Sequence, residues 1–275
     1  MSPPYDLLIH NATVMTLDAS SNVIRDGIVA VRDGLIARVG PRPKGEPLPE
    51  ALESRDAGGG IAMPGLVNTH THLPMTLFRG LADDLPLHIW LNEHMFPAET
   101  THMTPEAARH CAALACAELL LSGTTTCCDG YFHEDQVAAA VIDTGLRAVA
   151  AQGVIDFPAP GVSDPNKNLT TAADFIDRWQ GVSERLSPSV FCHSPYTCNR
   201  TTLEDAKALA TEKGVLFQIH VAETEKERRE MESSRGLSPV CYLDELGLLD
   251  KDTLLVHTIW VDEHDLEIIA ARGAA

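Results

Sequence analysis

Positive charge is scarce in this 275-residue chain: 21 lysines and arginines stand against 39 aspartates and glutamates, a formal charge of −18. Gripping a phosphate backbone takes clustered cations, so a nucleic-acid partner is not expected. Paired Cys-x-x-Cys spacing is missing too. Seven cysteines, an odd number scattered along a long chain, do not resemble a disulfide framework, and this usage fits a reducing cytoplasm. The start, MSPPYDLLIH, has neither a basic segment nor an apolar run, and the most apolar helical stretch is interrupted by Glu118, so neither a signal peptide nor a membrane span is expected. What remains is an ordinary globular balance, 44% hydrophobic and 22% charged, which argues for a sizeable core and against disorder.

The first sixty or so residues read as a small β-structure. DLLIHNATVMTLD and GIVAVRDGLIARVG are strand-rich, the second broken by the turn dipeptide Asp33-Gly34, and PRPKGEPLPE has the composition of a loop. After Gly58-Gly59-Gly60 short apolar runs alternate with helical patterns, the signature of βα units around a parallel sheet. Six strands follow: GLVNTH, TTTCCDG, RAVAAQGV, SVFCHS, VLFQIHVAE and TLLVHT. Thr104-Pro105-Glu106 opens a helix that stops near Gly123; Thr202 and Asp262 open two more, closed by Gly214 and Gly273. The expected organisation is a small N-terminal β-sandwich portion over residues 1–62 and an α/β barrel of the TIM type, (β/α)8 in plan with about six units present, over residues 63–275.

Barrel chemistry gathers at the C-terminal strand ends. Those ends carry His70 and His72 on the first strand, His193 on the fourth, His220 with Glu223 on the fifth, and His257 on the sixth. Residues i and i+2 of a strand share a face, so His70 and His72 aim two imidazoles into one space roughly 7 Å apart along the backbone. Such a pair is shaped for a divalent metal such as zinc, with His220 the natural third ligand and a place left for water. Glu223, just past its strand, is placed to take a proton from that water and hand it to a ring nitrogen, although it also suits the first turn of the acidic helix that follows. His257 is expected to orient the water. Cys127 and Cys128 point to opposite faces of a strand and are read as packing.

With these residues in place the chain resembles the amidohydrolase superfamily, and within it the 5-methylthioadenosine/S-adenosylhomocysteine deaminases and the related chlorohydrolase-type deaminases. The resemblance lies in MPGLVNTHTHLPMTLFRGLADDLPLHIWL, in FPAE ending at Glu99, and in DGYFHE, HSPYT, IHVAET and LLVHTIWVD. It implies a metal-dependent hydrolase with one divalent metal, usually zinc, held by His70, His72, His220 and an aspartate of the eighth strand. Glu223 would be the proton shuttle and His257 would sit beside the water. Glu99 would hold ribose hydroxyls, which a carboxylate can accept in pairs, and His193 would contact the nucleoside. SVFCHSPYT offers no lysine of the kind that bridges two metals in dihydroorotases and hydantoinases, so one metal is favoured. Trp90 and Phe96 either cover a purine or simply pack. A homo-oligomer is implied by resemblance alone.

Two departures bear on function. Some deaminases of this group carry an arginine after the third strand for the nucleoside tail; near that place stands Gln152, while Arg147 lies earlier in the strand and reads as structural. A barrel starting near Met63 has 213 residues, against the ~250 of eight units. The expectation is therefore a C-terminal truncation that leaves out two strands and the aspartate, which Asp262 and Asp265, in the helix after the sixth strand, cannot replace. The first functional expectation is deamination of the 6-amino group of S-adenosylhomocysteine, 5-methylthioadenosine or adenosine. A guanine, pterin or triazine hydrolase stays open, with Glu99 as discriminator because a free base has no ribose. A non-catalytic fragment also stays open.

Overall fold

The computed structural model describes residues 4–275. The chain divides into two compact units, one ending at Gly65 and the other running from Leu66 to Ala275. The first holds β1 (Tyr5–Met15), β2 (Val23–Arg32), β3 (Leu35–Pro41), β4 (Ala51–Asp56) and β5 (Ile61–Ala62) in one mixed sheet, ordered β3-β2-β1-β4 with β5 beside β1. The sandwich expected here is thus represented by a single sheet. Asp33 and Gly34 both take positive φ, 52° and 75°, which a two-residue hairpin turn between right-twisted strands demands. Leu8, Ile28 and Ala30 form the buried centre of this unit. β4, with the sequence ALESRD, was not expected; almost all of it is exposed, so it carries no apolar alternation to read.

The second unit is built on β6 (Leu66–Thr71), β7 (Thr124–Tyr131), β8 (Arg147–Val154), β9 (Leu186–Cys192), β10 (Phe217–Val221) and β11 (Thr253–His257), all parallel and ordered as in the sequence. Around them run α1 (Leu87–Ile89), continued through a π-helical turn at Trp90–Met95 into α2 (Phe96–His102), then α3 (Pro105–Leu121), α4 (Glu134–Thr144), α5 (Asn168–Trp179), α6 (Arg200–Lys213), α7 (Glu225–Arg235), α8 (Pro239–Glu245) and α9 (Glu263–Arg272). In a flat sheet β6 and β11 would lie roughly 24 Å apart, five strand spacings. Yet the rings of His70 on β6 and His257 on β11 are 4.9 Å apart, so the sheet curls round as a barrel wall. Ala275 runs beside β11, giving its N–H to the Thr253 carbonyl at 3.1 Å and accepting the Leu255 N–H at 2.7 Å.

The core lies between this sheet and its helices, where Val190, Phe217 and Ile219 meet Val137, Ile176, Leu203 and Leu243. β7 to β10 are buried almost throughout, as strands covered on both faces should be, whereas Leu66 and Val67 of β6 are exposed. Thr104 caps α3 by accepting the Ala107 N–H, and Asp262 caps α9 in a reciprocal box with Asp265. α6 starts one turn earlier than expected: Asn199, which accepts the Thr202 N–H, is its cap, and Thr202 lies inside. Cys127 and Cys128 are both buried without a disulfide, and no described helix is long and apolar enough to cross a membrane.

Candidate active site

Strand order and curl bring residues from four strand ends to one place. Nitrogens of His70, His72 and His220 all lie within 4.8 Å of one another, with Nε2 of His70 and His220 3.3 Å apart. Three nitrogens held at 2.0–2.1 Å around a tetrahedral cation stand about 3.3–3.4 Å from each other, so this set needs little movement to close on one. Burial drives the imidazoles neutral, His70 down to about 3, His72 to about 4 and His220 well below its ordinary value. Neutral nitrogen lone pairs are what a divalent cation takes. The Gly130 carbonyl, 2.6 Å from His72 Nδ1, fixes the proton on that atom and leaves Nε2 bare. Phe191 packs edge-on against His220, ring centres 4.9 Å apart, and closes the floor.

His193 follows β9 and its ring centre is 5.0 Å from that of His220. It is outside the three-nitrogen set; its Nδ1 lies 2.8 Å from the Thr197 hydroxyl, and burial holds it near 3 and neutral. Glu223 and His257 face each other across the end of β10 and β11, Oε2 to Nε2 at 3.6 Å. Burial, then the nearby charge of Glu227, pushes the Glu223 carboxyl up to about 7, where it can both accept and give a proton at neutral pH. Burial lowers His257.

The backbone here is unusual. Ala222, His257 and Thr258 have φ of 50°, 77° and 50°, a left-handed conformation costly for residues with a Cβ and most of all for a β-branched threonine. Cross-bonds hold it: Thr258 N–H to the Val221 carbonyl, and the Ile259 and Trp260 N–H groups to the Ala222 carbonyl. Glu227, itself buried, accepts the Ala222 and Glu223 N–H groups at 2.9 and 2.8 Å and so fixes the turn that carries Glu223.

The histidines floor a cavity of about 230 Å³ whose walls include Trp90, Phe96, Glu99, Tyr131 and Tyr196. It shares Leu87, Leu91, Phe96 and Tyr196 with an outer chamber of about 680 Å³. Glu99 is only 5% exposed and its carboxylate accepts the Tyr131 hydroxyl at 2.5 Å; burial, partly offset by that bond, pushes it up to about 7. Gln152 does not reach the cavity: it is buried, its Oε1 accepting the Glu134 N–H at 3.3 Å. Tyr131 and Glu227 were not singled out from sequence. Tyr131 stands in DGYFHE, but nothing in the chain says that it meets a residue 32 positions earlier; for Glu227, one acid among many in α7, there was no signal.

Comparison with known proteins follows the same lines. Residues 61–275 match the amidohydrolase family. A 5-methylthioadenosine/S-adenosylhomocysteine deaminase of Syntrophobacter fumaroxidans is 41% identical over 98% of this chain and 61% of its own length. A 5'-deoxyadenosine deaminase of Methanopyrus kandleri is 43% identical over 91% of this chain and 58% of its own. Among solved structures, an adenosine deaminase from Xanthomonas campestris with bound zinc superimposes with a TM-score of 0.93 at 34% identity, covering 99% of this chain and 62% of that one. The chain thus spans about three fifths of the length of these relatives. By the match over most of its length and by this fold, the chain belongs to the amidohydrolase family.

Proposed function

We propose that the chain carries the cation-binding and proton-transferring residues of a hydrolytic deaminase that removes the 6-amino group of adenosine-type nucleosides, among them S-adenosylhomocysteine, 5-methylthioadenosine and adenosine, as ammonia. The observation that carries this is the convergence of three neutral histidines, a carboxyl poised near 7 and a second buried carboxyl on one cavity. His70, His72 and His220 would hold the divalent cation, for which zinc is the proposed identity. When bound, such a cation supplies a water acidic enough to react at neutral pH.

The remaining steps belong to side chains. Glu223 takes a proton at its carboxylate and delivers it to the purine ring nitrogen beside the reacting carbon, making that carbon electrophilic. His257, facing Glu223, steadies the charge that develops as the water oxygen bonds to that carbon; the ring nitrogen keeps the first proton, and the second proton of the water passes to the amine, which leaves as ammonia when the carbon–nitrogen bond breaks. Glu99 accepts the two ribose hydroxyls, oriented by Tyr131, and His193 with its tautomer fixed by Thr197 contacts the nucleoside. Trp90 and Phe96 shield the base from water. The same reading carries a cytoplasmic setting, in keeping with seven cysteines and no disulfide, and a homo-oligomeric assembly that sedimentation would test.

The decisive experiment is metal analysis of the purified protein together with loss of adenine absorbance on adding these nucleosides. Expected are stoichiometric zinc, turnover of at least one nucleoside, and a loss of about 10²–10⁴-fold in rate for Glu223→Gln. Turnover of guanine or a chlorotriazine, with all nucleosides untouched and Glu99→Gln fully active, would reject the nucleoside assignment. A purified protein without any bound cation and without turnover would reject the enzyme.

A further inference from the structure

Asp129 and Glu134 are the two most deeply buried carboxyls of the chain, neither with measurable exposure, and no step above uses them. Asp129 stands on β7 directly beside Thr71, the residue between the two strand-end histidines of β6. Its Oδ1 accepts the Thr71 hydroxyl and the Leu73 N–H, both at 2.7 Å. The next residue, Gly130, accepts His72 Nδ1 at 2.6 Å. These bonds, with the Cys128 carbonyl 2.9 Å from the same Thr71 hydroxyl, therefore hold the segment Thr71–Leu73 to β7 on both sides of His72. β6 is hydrogen-bonded to β7, and the ladder between them is irregular between Asn68 and Thr71, where side-chain bonds take the place of backbone ones.

The buried Glu134 carboxyl is close enough to feel the charge of Asp129. Two carboxylates facing each other in a dry interior cannot both ionise. Burial raises both, and Asp129's charge raises Glu134 further.

We propose that Asp129 is the positioning residue of the metal centre, its one oxygen clamping Thr71 and Leu73 so that His70 and His72 present their nitrogens together. The inference rests on the three-histidine reading of the centre. Its test measures zinc affinity by competition with a chromophoric chelator, and hydrogen exchange over residues 66–78 of the metal-free protein, for wild type, Asp129→Ala, Asp129→Asn and Thr71→Val. Asp129→Ala is expected to weaken zinc binding by about 10–100-fold and to speed exchange at Leu73. Asp129→Asn keeps an oxygen for both bonds and is expected to stay within about fivefold of wild type. Thr71→Val, which keeps the shape and the Leu73 bond but loses the hydroxyl's contacts with Asp129 and with the Cys128 carbonyl, should fall between and serves if Asp129→Ala does not fold.

The proposal is overturned if Asp129→Ala, or Thr71→Val in its stead, binds zinc as tightly as wild type with unchanged exchange, or if Asp129→Asn is as weak as Asp129→Ala. Should wild type bind no zinc, the three-histidine reading fails and this proposal fails with it. Wild-type binding that is indifferent to every variant overturns the positioning role alone.

Discussion

Glu99→Gln separates the stability of this protein from its function, and the structure sets the size of the effect. The carboxyl is 5% exposed, with the Tyr131 hydroxyl as its hydrogen-bond partner, and burial moves it from an ordinary 4.5 up to about 7. A raised carboxyl pKa means that the folded protein binds the proton more tightly than the unfolded chain. The stability Glu99 confers is therefore fully present below pH 4.5, declines as pH rises through the window from 4.5 to 7, and is gone above it. At 1.36 kcal/mol per pH unit that decline is about 3 kcal/mol. Glutamine has the same shape and its carbonyl accepts the same Tyr131 bond, but it never ionises. Urea denaturation of wild type and Glu99→Gln at pH 5 and pH 8.5 should show the variant gaining about 2–3 kcal/mol relative to wild type between the two. At pH 8.5 nucleoside affinity should meanwhile fall by about tenfold or more, because hydrogen bonds to an ionised acceptor are the stronger ones. A variant whose stability tracks wild type at both pH values would refute the reasoning, since Glu99 would then be ionised in the fold at no cost.

Three further outcomes follow from the same geometry. Glu227→Gln removes the charge that helps to raise Glu223, so Glu223 should titrate lower by on the order of one pH unit, read in the metal-free protein as an infrared carboxyl signal absent from Glu223→Gln. Gly130→Ala would set a methyl group 2.7 and 2.8 Å from Cδ1 and Cδ2 of Phe191, the ring beneath His220; a loss of about 1–3 kcal/mol in denaturation is expected, and unchanged stability would show that the ring can step aside. Thr104→Ala deletes the acceptor for the Ala107 N–H at the start of α3, and should cost about 1 kcal/mol in the same assay without altering zinc affinity.

The βα alternation was legible because it rests on runs of apolar residues, and every strand from β6 to β11 lies within a few residues of its expected place. The strand-end histidines were legible for a related reason: the two-residue period of a strand fixes which side chains share a face, whatever the rest of the chain does. What escaped depends on distance in space rather than on pattern. Tyr131 reaches Glu99 across 32 positions, and Glu227 is set apart from its acidic neighbours only by two bonds to the turn behind β10. The left-handed backbone at Ala222, His257 and Thr258 was equally invisible, since none of these is a residue that asks for positive φ. β4 escaped because exposed strands need no apolar code.

The convergence of β6 and β10 has a consequence for how the molecule comes together. His70 and His220 stand 150 positions apart along the chain, with three strands between theirs in the sheet order. Closing so long a loop is slow, and a cation at the proposed site could not template it early, because these histidines become neighbours only after those strands are laid down. A cation held by the proposed three histidines would act as a clasp between β6 and β10, adding about 4 kcal/mol when free cation exceeds its dissociation constant a thousandfold. On the proposed reading, cation affinity would then report on assembly, because only a molecule with β6 and β10 in place would bring the three histidines together.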